Sequence, residues 1–287
     1  MRAYIDCVHC YLKQAVSCMA AAGVDEDTQH EILYELMDFV KTFDRNDTPA
    51  NNSTEVLLKV YERIGIADPY KDLKKHSNDL ALKLYPKLKK ILASSKDRLY
   101  DALKISVAGN VIDLGINRDF DIDESLKYSL EVGFSINDYD KFLNKLQKVN
   151  NVLFLGDNAG EIVFDKVLVE ELVDMGKEVI YTVKAGPILN DATIEDAVYV
   201  GMDNVARVIT TGSNYLGTSL NKISKEFEAI LHSSNLVISK GQANFESLEQ
   251  EDTVKEKVYF LLKIKCEGVG KTAGSKFGDV VFFTPNK

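Results

Sequence analysis

The residue types best suited to chemistry are an adjacent acid and amide, Asp157 and Asn158, which stand between Gly156 and Gly160. They directly follow residues 152–155, an apolar run with the length and composition of a buried parallel strand. An acid and an amide at the end of a strand can direct two oxygen ligands at one cation. This segment is therefore the first candidate for a metal site.

A structural role accounts for the same residues equally well. Asn158 and Glu161 have the spacing of a capping box, in which the Asn side chain accepts from a backbone N–H and the Glu side chain reaches back. Apolar residues at helical spacing over residues 161–175 predict the helix that such a box would begin. A dinucleotide-binding loop is not favoured, because Gly156 and Gly160 do not form the Gly-x-Gly-x-x-Gly pattern.

The same alternation of strand and loop recurs along the second half of the chain. Further strands are predicted over residues 178–183, 205–209, 236–239 and 258–264. Strands that alternate with helical segments are typical of an α/β fold with a parallel sheet. Open parallel sheets bind ligands outside the carboxyl ends of their strands, so we expect the loops after these strands to converge.

Those loops supply further polar side chains. Asp191 follows the second strand and is a second carboxylate candidate. Gly212 and Ser213 follow the third strand, in a loop rich in hydroxyl and backbone N–H groups that suits an anion. Lys240 and Asn244 follow the fourth strand, where they place a cation and another amide at the same edge of the sheet.

The composition is typical of a globular protein with a substantial core. The chain has 287 residues, 45% of them hydrophobic, which suffices for one large or two smaller domains. Its net charge of −9 argues against non-specific binding to nucleic acid or to anionic membranes, although a local basic pocket for an anion is compatible with it.

Two further features bear on the compartment. No segment is apolar enough to span a bilayer or to serve as an export signal. The four cysteines have no regular framework, which is typical of a reducing compartment. We therefore expect a cytoplasmic protein whose partner is a small molecule, and the oligomeric state is left open.

The first part of the chain has helical periodicity and few strand signals. Apolar positions follow helical spacing over residues 4–22, 28–43, 53–64, 70–93 and 96–114. We infer an all-helical domain over residues 1–115 and an α/β domain over residues 116–287, with two linking helices within residues 122–149.

The last of these predicted helices has polar residues among apolar ones. Asn110 and Asp113 lie three residues apart on one face, and Gly109 permits the close approach of another backbone. A buried Asn or Asp needs a partner, which is either a ligand or a neighbouring carbonyl group.

Cysteines form a second candidate site. Cys7 and Cys10 are a Cys-x-x-Cys pair on the first predicted helix, and Cys266 follows the strand predicted over residues 258–264. The pair lacks the second pair that is typical of zinc sites, and it does not follow a strand as in thioredoxin-like proteins. Packing cysteines are the default interpretation, and a thiol cluster of Cys7, Cys10 and Cys266 is the functional alternative.

Six short segments, taken together and in this order, carry a family resemblance: the Cys-x-x-Cys helix, Asp68-Pro69-Tyr70, Ala108 to Asp113, Gly156 to Glu161, Asn190-Asp191-Ala192 and Lys240 to Glu246. They resemble the DUF89 family, whose characterised members are metal-dependent damage-control phosphatases. The resemblance covers nearly the whole chain, and the Cys-x-x-Cys pair makes it most similar to the prokaryotic branch.

The resemblance implies a three-layer α/β/α fold with a mostly parallel sheet and an N-terminal helical domain. It also implies a divalent cation held by Asp157, Asn158 and Asp191. Lys240 and Asn244 would then lie around the substrate phosphate, with Asn110 contributed by the helical domain.

Chemistry agrees with these implied roles. Two carboxylates and one amide oxygen form a hard ligand set that suits Mg²⁺ or Mn²⁺ and also accepts Co²⁺ or Ni²⁺. Such an ion would neutralise phosphoryl charge and lower the pKa of a bound water, while Lys240 would stabilise the equatorial oxygens. The leading hypothesis is a metal-dependent phosphatase for phosphomonoesters of small metabolites, such as sugar phosphates or phosphopantetheine-like compounds. Asp157 could attack directly instead, but we favour metal-activated water as the nucleophile.

Two other functions compete with this hypothesis. The first is an S-adenosylmethionine-dependent carboxyl methyltransferase, because a crevice between strand, loop and helix could hold an adenosyl cofactor; the low glycine density of the first loop argues against it. The second is a non-enzymatic metal- or redox-responsive binding module built on Cys7, Cys10 and Cys266.

Overall fold

The computed structural model describes residues 1–111 and 130–285. Its helices are α1 (Ile5–Ala21), α2 (Glu26–Val40), α3 (Pro49–Ile64), α4 (Lys71–Ala93), α5 (Arg98–Val111), α6 (Tyr139–Leu146), α7 (Glu161–Asp174), α8 (Ile194–Tyr199), α9 (Lys225–Ser233), α10 (Gln242–Leu248) and α11 (Glu267–Ala273). Within these two ranges, no helix has the length and apolar character needed to cross a membrane.

One mixed sheet organises the second part of the chain. Its strands are β1 (Ile136–Asn137), β2 (Asn151–Leu155), β3 (Glu178–Val183), β4 (Arg207–Thr210), β5 (Val237–Lys240), β6 (Val258–Lys263) and β7 (Val280–Phe283). The strand order is β1-β7-β6-β5-β2-β3-β4. Strands β2 to β6 are parallel to one another, whereas β7 is antiparallel to β6 and β1 pairs with β7 in parallel. The carboxyl ends of the five parallel strands therefore meet at one edge.

Helices cover both faces of this sheet. Alternate residues of a strand point to opposite faces, so Val152 and Phe154 join one core while Leu153 and Leu155 join the other. The first core includes α4, α5 and α7, and the second includes α9, α10 and α11. The mostly parallel, three-layer α/β/α architecture expected from the sequence is confirmed.

Helices α1 to α3 pack around a third core, which reaches the carboxyl edge of the sheet. Ile188 and Leu216, from the loops after β3 and β4, lie in this core. The Tyr61 hydroxyl on α3 accepts a hydrogen bond from Leu189 N at 2.9 Å, and Thr54 Oγ1 accepts one from Leu216 N at 3.0 Å. The first three helices therefore hold the loops in which the candidate site lies.

Helix α5 packs closely onto α7. A Cβ atom added to Gly109 would lie 3.2 Å from the Cα atom of Glu161, so the two helix backbones approach directly at this glycine. The close approach predicted for Gly109 is therefore confirmed. It brings the C-terminal turn of α5 next to the start of the helix that follows Asp157 and Asn158.

The structure differs from the sequence prediction at the end of the sheet. Strands β1 and β7 were not predicted, because β1 is only two residues long and a run of four apolar residues such as β7 is equally typical of a buried helix segment. The other strands lie within two residues of their predicted positions. Helix α6 lies within the region predicted for two linking helices, while the rest of that region up to residue 129, the predicted domain boundary at 115 and Asp113 fall outside the described residues.

Candidate active site

Two glycines allow the Asp157 carboxylate to lie between the ends of β2 and β5. A Cβ on Gly156 would lie 2.6 Å from the Tyr181 hydroxyl, and a Cβ on Gly241 would lie 1.8 Å from Asp157 Oδ2. Any larger residue at position 241 would displace the carboxylate. Asp157 therefore packs directly against the backbone that follows β5.

The loops after β2 and β3 are joined by backbone hydrogen bonds. Asn158 and Asp191 form an antiparallel bridge, Ala192 N donates to Asp157 O at 2.9 Å, and Ala159 N donates to Asn190 O at 2.8 Å. Because these bonds join main chains, they fix the spacing of the two loops independently of side-chain rotamers. The structure thus brings together the three residues that the resemblance implied as metal ligands.

The carboxylates at this point raise one another's affinity for protons. Burial and the charges of Glu161 and Asp191 raise the pKa of Asp157 well above its usual value. Burial, opposed by the Lys184 ammonium and reinforced by Glu161, raises the pKa of Asp191 to about 6. Excess negative charge in a buried space is the condition that a bound cation would relieve.

One oxygen of this group has an open bonding position. Asp191 Oδ2 is buried and has no hydrogen-bond partner among the described residues, and Lys184 Nζ lies 3.7 Å from it. The orphaned oxygen, together with the neighbouring carboxylates, fits a divalent cation. Across residues 1–111 and 130–285, no three His, Cys, Asp or Glu side chains form a cage for a metal ion; the ligand set in question has two carboxylates and an amide.

The Asn158 side chain turns its nitrogen toward the acids. Its Nδ2 donates to Asp157 Oδ2 at 3.3 Å and to Glu161 Oε1 at 2.9 Å. Rotating the amide by 180° exchanges its NH₂ group and its oxygen. The side chain can therefore donate to carboxylates with Nδ2 or face a cation with Oδ1. The predicted role of Asn158 as a metal ligand stays a prediction.

The predicted capping box is wrong. Helix α7 begins at Glu161, and its N-cap is Gly160, which has a φ of 79° and no side chain. Asn158 therefore lies two residues before the N-cap, and its amide donates to the Glu161 carboxylate rather than accepting from the helix backbone. The Gly160 N–H is instead bound by Asn78 Oδ1 on α4 at 2.7 Å.

Lys240 lies behind the loops, with its ammonium fully buried. Its Nζ contacts Asp165 Oδ1 at 2.5 Å, Ser106 O at 3.0 Å and Glu161 Oε2 at 3.6 Å. Asp165 also accepts from the Ser106 and Tyr181 hydroxyls at 2.6 and 2.8 Å. Direct contact of Lys240 with a substrate phosphate stays a prediction, and the structure gives this lysine a buried acid as its partner.

Three other predicted substrate contacts are engaged within the protein. Asn244 donates to Gly156 O at 3.2 Å and to Lys240 O at 2.8 Å, and its Oδ1 accepts from Thr218 Oγ1 at 2.7 Å. Gly212 N donates to Thr210 Oγ1 at 3.2 Å, and Ser213 Oγ accepts from Tyr215 N at 3.1 Å.

Asn244 therefore ties the ends of β2 and β5 to the loop after β4, whereas Gly212 and Ser213 stabilise their own loop. Their contacts with substrate stay predictions. The side chain of Asn110 lies outside the described residues.

Sequence reasoning missed four residues of this region. Lys184 faces Asp191, Asp165 pairs with Lys240, and Asn78 binds the loop before α7. Lys265, an exposed residue after β6, lowers the pKa of Asp157 through its charge, although burial and the neighbouring acids raise it more. The acid in the apolar run around Asp165 and the lysines directly after two strands were the signals available in the sequence.

Several known proteins are similar to this chain. The family model described as the damage-control phosphatase ARMT1-like domain matches residues 3–281. A damage-control phosphatase of Archaeoglobus fulgidus is 31% identical over 281 residues, which is 96% of this chain and 96% of the relative. A mouse 4'-phosphopantetheine phosphatase is 30% identical over 148 residues, which is 46% of this chain but 18% of the mouse protein.

A solved structure extends the comparison to three dimensions. The crystal structure of a DUF89 family protein from Pyrococcus horikoshii superposes with a TM-score of 0.92 at 28% identity, covering 100% of both chains. The family model, the archaeal relative and the solved structure each cover nearly all of the chain. The protein belongs to the damage-control phosphatase ARMT1-like (DUF89) family.

Proposed function

We propose that this protein is a divalent-metal-dependent phosphatase that hydrolyses phosphomonoesters of small metabolites. The observation that carries the proposal is the backbone-linked pair of carboxylates, the partly buried Asp157 and the buried Asp191, with the open oxygen Asp191 Oδ2. Two acids and an amide at one point of a sheet edge have the ligand chemistry of Mg²⁺, Mn²⁺, Co²⁺ or Ni²⁺.

Asp157, Asn158 and Asp191 would hold the cation. When bound, it would neutralise phosphoryl charge and supply a water of lowered pKa as the nucleophile. Asp157 packs against Gly241 and is bonded by the Asn158 amide, and this confinement supports a ligand role over direct attack by its carboxylate.

Three lysines around the site have different proposed roles. Lys265 is exposed and its charge acts on the Asp157 carboxylate, so we propose that its ammonium attracts a phosphate from solvent. Lys184 is buried, donates to Gly217 O and faces Asp191, so its ammonium competes with a cation for that acid. Lys240 holds α7 and the end of β5 together through Asp165.

The substrate class follows from the relatives and from the kind of site. The relatives carry the names damage-control phosphatase and 4'-phosphopantetheine phosphatase. On the strength of these names we propose sugar phosphates or phosphopantetheine-like compounds as the substrate class. The composition supports the cytoplasm as the compartment.

Phosphate release from a panel of such compounds, each with Mg²⁺, Mn²⁺, Co²⁺ or Ni²⁺, tests this function. We expect Asp157→Asn to lower release by at least about 100-fold, because the ligand and its charge are lost. Asp203→Asn, which removes an exposed acid in the turn before β4, is the matched control and should leave activity unchanged. Equal activity of Asp157→Asn and wild type, or binding of S-adenosylmethionine with no phosphate release in any combination, would contradict the proposal.

A further inference from the structure

Three free thiols lie close together on the side of the sheet away from α4 and α5. Cys7 and Cys10 are in the first two turns of α1, and Cys266 is the N-cap of α11. Burial raises the pKa of both Cys7 and Cys10, and the charges of Cys266 and Glu246 raise each of them further. The charge of Cys266 therefore acts on both thiols of α1, although the cysteines come from opposite ends of the chain.

Contacts between the two helices hold the thiols in place. The Tyr4 ring lies against Gly268, where a Cβ would be 2.8 Å from Tyr4 Cδ2, and the Tyr4 hydroxyl is 3.3 Å from Thr272 Oγ1. Tyr4 O accepts from Cys7 N at 3.0 Å, so the anchored residue is part of the turn that carries Cys7. The start of α1 is thus docked on α11 directly beside Cys266.

Cys10 and Cys266 have surroundings suited to different steps of thiol chemistry. His9 Nε2 lies 3.9 Å from Cys10 Sγ, so an imidazole is within reach of the thiol proton. The Lys13 charge lowers the pKa of Cys10, although burial and the charges of Cys266 and Glu246 raise it more. Cys266 Sγ accepts from Val269 N at 3.5 Å and from Gln242 Nε2 at 3.7 Å. Both thiols are only half-buried, so small molecules have access to them.

Cys266 is also linked to the candidate active site. The preceding residue, Lys265, donates its backbone N–H to Gln242 Oε1 at 3.1 Å. Gln242 directly follows Gly241, the glycine that packs against the Asp157 carboxylate. A movement of Cys266 therefore displaces the segment that carries Lys265 and the contact that supports Asp157.

We propose that Cys10 and Cys266 are a thiol–disulfide exchange site for low-molecular-weight disulfides. The Cys10 thiolate attacks one sulfur of the external disulfide, forming a mixed disulfide and releasing one thiolate. The Cys266 thiolate then attacks Cys10 Sγ, forming the Cys10–Cys266 bond and releasing the second thiolate. Two protein thiols are oxidised to one disulfide, one external disulfide is reduced to two thiols, and the two protons pass to the released thiolates.

The bond would connect α1 to the N-cap of α11 and remove the acceptor of the Val269 N–H. We expect phosphate release to fall by about tenfold on oxidation, since small displacements of positioning groups are costly to catalysis. This consequence rests on the proposed phosphatase function, whereas bond formation itself does not.

Thiol mapping of the full chain tests the site. The protein is equilibrated with oxidised and reduced glutathione at a series of ratios, quenched, alkylated under denaturing conditions and analysed by peptide mass spectrometry. In wild type we expect alkylatable thiols to fall from four to two, with a linked Cys10–Cys266 peptide. Cys10→Ser should keep all of its remaining thiols free, whereas Cys266→Ser should stop at the mixed disulfide of Cys10 with glutathione and keep its other two thiols free. Cys18→Ala, which changes a fully buried thiol on the same helix, should still lose two.

Three results overturn the proposal: no loss of thiols at any ratio, a Cys7–Cys10 bond in wild type, or a zinc ion retained by these cysteines. If the linked peptide forms but phosphate release is the same before and after oxidation, the coupling to the active site is overturned. If the linked peptide forms in a protein that releases no phosphate from any substrate, the phosphatase proposal fails and the thiol site stands.

Discussion

Lys240 and Lys184 are two buried lysines at the same edge of the sheet, and their surroundings are opposite in kind. Lys240 Nζ lies 2.5 Å from Asp165 Oδ1, and Asp165 is otherwise bonded by two hydroxyls. Lys184 Nζ donates to the Gly217 carbonyl and lies 3.7 Å from Asp191 Oδ2. The Lys240 ammonium therefore has a carboxylate in direct contact. The Lys184 ammonium is farther from its acid, and Asp191 Oδ2 has no hydrogen-bond partner among the described residues.

This difference decides the charge that each lysine prefers. Burial lowers the pKa of Lys240, but the carboxylates of Asp165, Glu161 and Asp157 together outweigh it and the pKa is raised. Burial also lowers the pKa of Lys184, and here Asp191 and Asp157 do not make up for it, so the pKa is lowered. The charge of Lys240 is compensated within the protein, whereas the acids around Lys184 carry more negative charge than Lys184 can balance. We infer that the ion pair of Lys240 and Asp165 maintains structure, and that a cation would bind at Asp191, which faces Lys184.

The strongest test breaks the compensated pair. Lys240→Met should lower the free energy of unfolding by about 3–5 kcal/mol, because Asp165 remains buried without its cation. Urea unfolding measures this loss. A double variant with Asp165→Asn should recover part of it, since the amide is uncharged and still accepts from the Ser106 and Tyr181 hydroxyls.

Lys148→Met, which removes an exposed ammonium, is the matched control and should change stability by less than about 0.5 kcal/mol. If Lys240→Met unfolds like wild type but releases no phosphate, Lys240 contacts the substrate and the comparison between the two lysines fails.

A second test concerns a buried acid whose donor is an amide rather than a lysine. Burial raises the pKa of Glu246 to about 7, and Gln242 Nε2 donates to its Oε1 at 2.9 Å. The pKa of a Glu in an unfolded chain is about 4.3, so between pH 4.3 and about 7 the folded protein binds the proton more tightly than the unfolded chain does. The stabilisation is fully present below about pH 4.3 and is lost as the pH rises through about 7, amounting to about 3–4 kcal/mol.

Glu246→Gln should remove this share of the pH dependence. Because other buried acids titrate in the same range, the quantity to measure is the difference between wild-type and variant unfolding free energies across pH 4 to 8. A difference that is flat with pH would show that Glu246 is ionised in the folded protein throughout.

The smallest expected effect concerns the uncompensated side. Lys184→Met should tighten the binding of Mn²⁺ by about tenfold, or about 1.4 kcal/mol, because the ammonium and the cation compete for Asp191. Isothermal titration calorimetry measures the Kd, again with Lys148→Met as the control. Weaker binding in Lys184→Met than in wild type would mean that Lys184 holds Asp191 in place for the ion and does not compete with it.

Much of the architecture follows from the sequence alone. The five parallel strands and the helix after the first of them were predictable because period and composition are local properties of the chain. The meeting of Asp157, Asn158 and Asp191 was predictable for a related reason, since the carboxyl ends of parallel strands share one edge.

Partner choice was not predictable. Lys240 was assigned to a phosphate. Its position in the sequence does not reveal that Asp165, a buried residue of α7, lies beside it in the fold. That contact depends on β5 lying next to β2 and on α5 and α7 closing over both, which are non-local facts. The same holds for Asn78 on α4, which binds the Gly160 N–H from a helix assigned to another domain.

The sequence by itself determined the element types, the sheet edge at which the acids gather and the family resemblance, because these depend on periodicity and on short ordered motifs. Only the tertiary structure decided which lysine is neutralised, which acid keeps an open oxygen and which cysteines meet. The physical reason is that burial and charge compensation depend on the residues that surround a group in space, and most of those residues are distant in the chain.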